Sequence, residues 1–140
     1  MTDRSRLDGV RVLVVDDARY VLDVVTEILQ RSGAIVTAVA SAEEALDVLQ
    51  RERPDVLLSD LSMPGKGGYW LIGQVRTLSQ NLGGETPAAA LTAYTANEHR
   101  ASVMRAGFQC HVAKPVGVRK LVGIVASLAL KEQPSGRLVD

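Results

Sequence analysis

Cysteine is almost absent from this 140-residue chain, where Cys110 stands alone. One thiol closes no internal disulfide and builds no cysteine-based metal cluster. Its neighbours Gln109 and His111 add no metal-ligand spacing, so a reducing compartment is expected. Net charge is also absent: 16 Lys and Arg balance 16 Asp and Glu. No overall field draws the molecule to nucleic acid or to an anionic membrane, and any charge-based function must be local. No apolar run approaches the roughly 20 residues that span a bilayer. The opening Met1-Thr2-Asp3-Arg4-Ser5-Arg6 leads into no apolar signal-peptide core. A cytoplasmic protein with no membrane contact and no direct nucleic-acid binding is therefore expected. Repeats, low-complexity blocks and linkers are missing as well, so the chain reads as one domain, large enough to bury a core unaided.

What is present is a regular alternation of β-rich runs and helical periods. Val10 to Val15 is a β-branched run closed by Asp16-Asp17, the pattern of a strand buried on both faces of a parallel sheet. Val21, Leu22, Val25, Ile28 and Leu29 then recur at three-to-four spacing, with Gly33 as the helix stop. Ala34 to Ala40 is β-rich again. Ser41-Ala42-Glu43-Glu44 forms a capping box before a helix that Pro54 ends. Asp55 to Asp60 gives a third strand, and a loop with three glycines, Met63 to Gly68, leads to a third helix. Ser79 to Pro87 is a polar surface connection, and Ala88 to Thr92 a short strand of small residues. Thr95-Ala96-Asn97-Glu98 is a second capping box, whose helix ends at Ala106-Gly107. Phe108 to Ala113 forms the last strand, and Val118 to Leu130 a final amphipathic helix. Five strands alternating with five helices predict an α/β fold, a doubly wound parallel sheet with right-handed crossovers and helices on both faces. The domain is expected over residues 9–131, with 1–8 as a flexible N-terminus and 132–140 as a flexible tail.

In such a sheet ligands gather at the carboxyl ends of the strands. Asp16 and Asp17 close the first strand, Asp60 the third, Thr92 the fourth and Lys114 follows the fifth. Taken singly, each has an ordinary explanation: Asp60 as a turn residue, Asp16 or Asp17 as a helix cap, Thr92 as a β-branched strand residue, Lys114 as an exposed loop cation. Taken together they share one edge. Three carboxylates about 5 Å apart repel by roughly 3 kcal/mol per pair at an effective dielectric of about 20, which calls for a positive partner. Hard oxygen ligands with few protein contacts suit Mg²⁺, and Lys114 supplies a second positive group.

Val14-Val15-Asp16-Asp17, Asp60-Leu61-Ser62-Met63-Pro64 with Gly68, Leu91-Thr92-Ala93 and Lys114-Pro115, in that order, closely resemble the receiver domain of two-component response regulators. The resemblance covers about residues 9 to 131 and implies the flavodoxin-like strand order 2-1-3-4-5. It implies Asp60 as phosphoacceptor for a phosphoryl group from a histidine kinase or histidine phosphotransfer protein. Mg²⁺ would be bound by Asp17, Asp60 and the Ser62 backbone carbonyl, with Asp16 acting through water. Lys114 would contact the phosphoryl group, and Thr92 would swing its hydroxyl onto it as the switch. Such a domain is no conventional enzyme: it catalyses its own phosphorylation and slow autodephosphorylation. A downstream protein would then be met through the face formed by helix 4, strand 5 and helix 5.

The chain departs from the family at His111, where an aromatic switch residue is usual; the imidazole is read as its counterpart. Ser62 and Tyr94 occupy positions that tune phosphoryl loss, and neither is an acid or carboxamide. His99, between Glu98 and Arg100, is expected on a solvated helix face, and Trp70 in packing. Two other functions compete. A Mg²⁺-dependent phosphohydrolase with an Asp nucleophile generally wants an acid where Ser62 stands, and an unphosphorylated interaction module needs no complete set of acceptor, metal ligands and Lys.

Overall fold

Short β-branched and apolar runs form the strands, and the amphipathic periods between them form helices that cover both sheet faces. The computed structural model describes residues 6–93 and 97–131. Its strands are β1 (Arg11–Val15), β2 (Ile35–Val39), β3 (Val56–Asp60), β4 (Ala88–Thr92) and β5 (Cys110–Ala113). The helices are α1 (Arg19–Arg31), α2 (Ala42–Glu52), α3 (Gly68–Thr77), α4 (Asn97–Ala106) and α5 (Val118–Lys131). All neighbouring strands are parallel, in the order β2-β1-β3-β4-β5.

The two-residue period of the strands divides the core into two layers. Val12, Val14, Leu58 and Leu91 face Leu22, Val25 and Leu29 of α1 and Leu121 and Val125 of α5. Leu13, Val15, Leu57 and Ala90 face Ala45 and Leu49 of α2, Leu71 and Ile72 of α3, and Val103 of α4. β3 and β4 are buried along their whole length. This explains why they read as continuous apolar runs instead of alternating ones. No helix among the described residues is long and apolar enough to cross a membrane.

Local signals account for several boundaries. The Ser41 hydroxyl accepts the Glu44 N–H at 3.2 Å and starts α2. Pro54 disfavours helical angles at Arg53, which takes φ 51° as the C-cap. Gly33, with φ 98°, closes α1 in a conformation that side chains rarely adopt. Thr95 and Ala96, which begin the second capping box, lie outside the described residues.

The packed body begins earlier than residue 9. Leu7 is fully buried beside Leu29 and Ala34, and its N–H donates to Ser32 O at 2.7 Å. Gly9 N–H donates to Gly33 O. The turn after α1 leaves carbonyls and an apolar floor at the foot of the sheet, and the segment before β1 covers both. The Ser79 to Pro87 connection is also more than surface. Thr86 is buried, and the Arg76 guanidinium donates to Gly84 O and Thr86 O at 3.0 and 2.8 Å. The same group reaches Gly107 O at 2.7 Å and 3.0 Å, tying the ends of α3 and α4 to the connection before β4.

Candidate functional site

Strand register decides which strand-end residues meet. Val15 lies beside Ser59, so the next residues, Asp16 and Asp60, leave the sheet side by side. Asp60 pairs with Leu91, which places Thr92 one step beyond it on the next strand. Thr92 pairs with Ala113, so Lys114 follows at the same edge. Lys114 N–H donates to Thr92 O at 2.8 Å, and the Lys114–Pro115 peptide is cis.

The charged groups converge. Lys114 Nζ donates to Asp16 Oδ2 and to Asp60 Oδ1, each at 3.0 Å. Asp16 is fully buried and Asp60 is 6% exposed, whereas Asp17 is exposed. One carboxylate oxygen from each of Asp16, Asp17 and Asp60 lies within 4.8 Å of the others. Asp16 also serves the backbone, since its Oδ1 accepts the Ala18 N–H at 2.9 Å and orders the turn into α1. The turn before α1 and the acid cluster thus share one side chain.

Burial pushes the Asp60 carboxyl above its ordinary range. The hydrogen bond from Lys114 pulls it down, the Asp16 charge pushes it up, and the Lys114 charge and the Ser62 N–H pull it down again. Burial works against the charged form of Lys114, but its hydrogen bonds and charge pairing with Asp16 and Asp60 outweigh that and raise its pKa. At neutral pH the ammonium stays charged. Three acids gathered around one cation, two of them buried, form a donor set that suits a small hard cation retaining part of its water.

The loop after Asp60 folds tightly against the strand end. Gly68 N–H donates to Leu61 O at 3.1 Å. A Cβ on Gly68 would lie 2.4 Å from Asp60 O, and one on Gly67 would lie 2.5 Å from Leu61 O, so glycine permits the close approach. Ser62 is exposed in this loop. Trp70, on the first turn of α3, is half-buried against the α2/α3 core layer, with Lys66 Nζ 5.2 Å from its ring centroid.

The imidazole that meets Thr92 corrects the expectation for His99. Thr92 Oγ1 lies 3.1 Å from His99 Nε2, so His99 is no purely solvated residue. Its flanking Glu98 and Arg100 suggest a charged face. Its spacing of four from fully buried Val103 instead puts it on the stripe turned to the sheet. That spacing was the available signal. His111 sits on β5 beside Ala90 in register, two pairs before Thr92 and Ala113. It lines an open groove of about 760 Å³ between α4 and α5 with Arg100, Met104, Lys120 and Ile124. Burial lowers the His111 pKa, and the charges of Arg100, His99 and Lys120 lower it further. Tyr94 lies outside the described residues.

With this geometry in hand, similarity to known proteins is specific. Residues 12–126 match the model of the response regulator receiver domain. An uncharacterized 14.6 kDa protein in the sodA1 3′ region of Leptolyngbya boryana is 44% identical over 124 residues, spanning 88% of this chain and 92% of that protein. The response regulator protein FleR of Pseudomonas aeruginosa is 37% identical over 124 residues, which are 89% of this chain but 25% of FleR. Among solved structures, a putative response regulator from Chloroflexus aurantiacus has a TM-score of 0.81 at 30% identity, covering 88% of this chain and 99% of that one. The receiver domain of a Pseudomonas aeruginosa sensor histidine kinase, with a magnesium ion coordinated in its active-site cleft, has a TM-score of 0.78 at 29% identity. That match covers 86% of this chain and 98% of the other.

Proposed function

Because the chain belongs to the response regulator receiver family, we propose that Asp60 accepts a phosphoryl group from the phosphohistidine of a histidine kinase or histidine phosphotransfer protein. The observation that carries this reading is the Lys114 ammonium shared at 3.0 Å between Asp60 and Asp16, with Asp17 alongside. Phosphoryl transfer needs positioning and charge neutralisation more than covalent machinery. An Asp60 carboxylate oxygen forms the new O–P bond while the donor's P–N bond breaks. The leaving electron pair stays on the imidazole nitrogen, which takes a proton from solvent, and the product is an acyl phosphate.

Lys114 holds the carboxylate in its charged, nucleophilic form despite burial and then faces the phosphoryl oxygens. Asp16, Asp17, Asp60 and the Ser62 carbonyl are the groups that would hold Mg²⁺. When bound, the ion supplies positive charge to offset the acids and the incoming phosphoryl oxygens. Ser62 offers no acid for turnover by a phosphohydrolase, and Tyr94 adds none. The phosphoryl group is therefore long-lived, and the domain signals instead of turning over substrate. Thr92 senses the phosphoryl group with its hydroxyl. The α4/β5/α5 face, with half-exposed Met104 and the cations Arg100 and Lys120 along the groove, is the surface offered to a downstream protein. A cytoplasmic location fits such a relay.

The test is intact mass after incubation with acetyl phosphate and Mg²⁺, with Asp60→Ala in parallel. A stable added phosphoryl group on the wild type alone is expected. Repeated release of phosphate would favour the hydrolase, and an unmodified wild type would favour an inert module.

A further inference from the structure

We propose that His99 is a positioning residue that holds the Thr92 hydroxyl in the resting state and competes for it with a phosphoryl group on Asp60. The proposal rests on the reading of Asp60 as phosphoacceptor. Thr92 is 4% exposed, so its hydroxyl cannot exchange freely among water partners. Its Oγ1 sits 3.1 Å from His99 Nε2. Both groups lie at the sheet edge that carries Asp60 and Lys114, one at the end of β4 and the other on the first turn of α4.

A threonine hydroxyl has one proton to give. Where Nε2 is unprotonated and accepts that proton, the proton is unavailable to a phosphoryl oxygen. Where Nε2 carries hydrogen, the ring donates to Oγ1 and anchors the oxygen instead. In either tautomer the contact opposes reorientation. A step between staggered rotamers moves Oγ1 by roughly 2 Å, which ends a 3.1 Å contact unless His99 follows. The consequence is directional. His99 belongs to α4, and the residues that follow it, Arg100, Ala101 and Met104, line the groove between α4 and α5. Movement of Thr92 is thus reported to the partner face through an α4 imidazole. His111 on β5 lines that groove as well, but its ring is not the one that hydrogen-bonds Thr92.

Two measurements test this at constant pH, with beryllofluoride and Mg²⁺ as the phosphoryl mimic. The first is apparent beryllofluoride affinity in the wild type, His99→Ala, Thr92→Val and the double variant. His99→Ala should bind about three- to tenfold more tightly than wild type, the worth of one neutral hydrogen bond no longer broken. In the Thr92→Val background the same change should alter affinity by less than about twofold, since no hydroxyl remains to be released. Equal tightening in both backgrounds, no tightening, or weakening overturns the proposal. The second uses the wild type alone and is independent of variant folding: the His99 Nε2 nitrogen resonance should shift when beryllofluoride and Mg²⁺ are added. An unmoved resonance in protein whose Asp60 and Ser62 amides do respond overturns the role of His99 only. A wild type whose Asp60 and Ser62 amides do not respond removes the phosphoacceptor reading and this proposal with it.

Discussion

Lys114→Met isolates the electrostatic logic of the site, because it keeps an unbranched apolar stem one atom shorter than that of Lys and removes the charge and its donors. The ammonium lies 3.0 Å from two carboxylates whose side chains are 1% and 8% exposed, and is itself 24% exposed. At an effective dielectric of about 20, each 3 Å pair has a gross attraction of about 5 to 6 kcal/mol. Most of that is offset by the cost of burying the ammonium. Removing one partner of a buried pair typically costs about 3 to 5 kcal/mol, and the partial exposure of Lys114 favours the lower end. Without Mg²⁺ at pH 7.5, Lys114→Met should therefore lose about 3 kcal/mol in urea unfolding followed by circular dichroism.

The pH dependence gives the sharper check. Asp60 already binds its proton more tightly folded than unfolded, so its ionisation costs stability as pH rises from the ordinary carboxylate value of 3.8 through its raised folded value. Lys114 is one of the groups pulling that value down. Its removal raises Asp60 further and widens the window in which stability is lost. The deficit of Lys114→Met should thus shrink on going from pH 7.5 to pH 5. Lys114 in the wild type contributes stability that is present below 10.5 and lost as pH climbs through its raised folded pKa, so neutral pH leaves its charge intact. A variant within about 0.5 kcal/mol of wild type at pH 7.5, or a deficit no smaller at pH 5, would refute this account.

Two further outcomes follow from other parts of the molecule. Arg76→Ala should lose about 2 to 4 kcal/mol in urea unfolding, because its fork holds the carbonyls of Gly84, Thr86 and Gly107 together. Arg76→Lys should recover less than half, since an ammonium cannot span those acceptors, and full recovery would show that the fork geometry is unimportant. Purified phosphoprotein in Mg²⁺ should keep its phosphoryl group for minutes or longer, as neither Ser62 nor Tyr94 can act as a base toward water. Phosphate release with a half-life of seconds would sink that expectation.

The fold was legible because its strands and helices obey different periods over nearly the whole chain. The acid cluster was legible because its members stand at the ends of β-rich runs and so emerge at the strands' carboxyl ends. Asp16, Asp60 and Lys114 needed only the strand order to be brought together. Three features depended on tertiary neighbours that the local sequence does not reveal. Leu7 falls within the expected flexible N-terminus, residues 1–8, because nothing local reveals that the turn at Ser32 leaves a carbonyl and an apolar floor to cover. Arg76 carries no local signal of its role, since its acceptors are carbonyls whose positions only tertiary folding fixes. His99 was masked by its charged neighbours: one residue's rotation on a helix distinguishes a solvated imidazole from one touching Thr92. Its distance of four from Val103 pointed inward, but an isolated helical spacing does not say what stands opposite.

The charges around Lys114 also bear on how firmly His99 can hold Thr92. Three carboxylates and one ammonium leave the cluster two charges short of neutrality, which one divalent cation would offset. Turning the Asp60 carboxylate into an acyl phosphate adds up to about one further negative charge, since a phosphoryl group carries about −1.5 to −2 at neutral pH. An O–H donor facing that group then makes a charge-assisted hydrogen bond, worth about 1.5 to 3 kcal/mol against about 0.5 to 1.5 for the neutral contact with an imidazole. The difference of about 1 to 2 kcal/mol shifts the hydroxyl from His99 toward the phosphoryl group by roughly 5- to 30-fold. A much tighter resting contact at His99 would silence the response, and a much weaker one would not report it. A single neutral hydrogen bond at 3.1 Å lies between those limits, so phosphorylation can reverse the preference without the Thr92 position being fixed in either state.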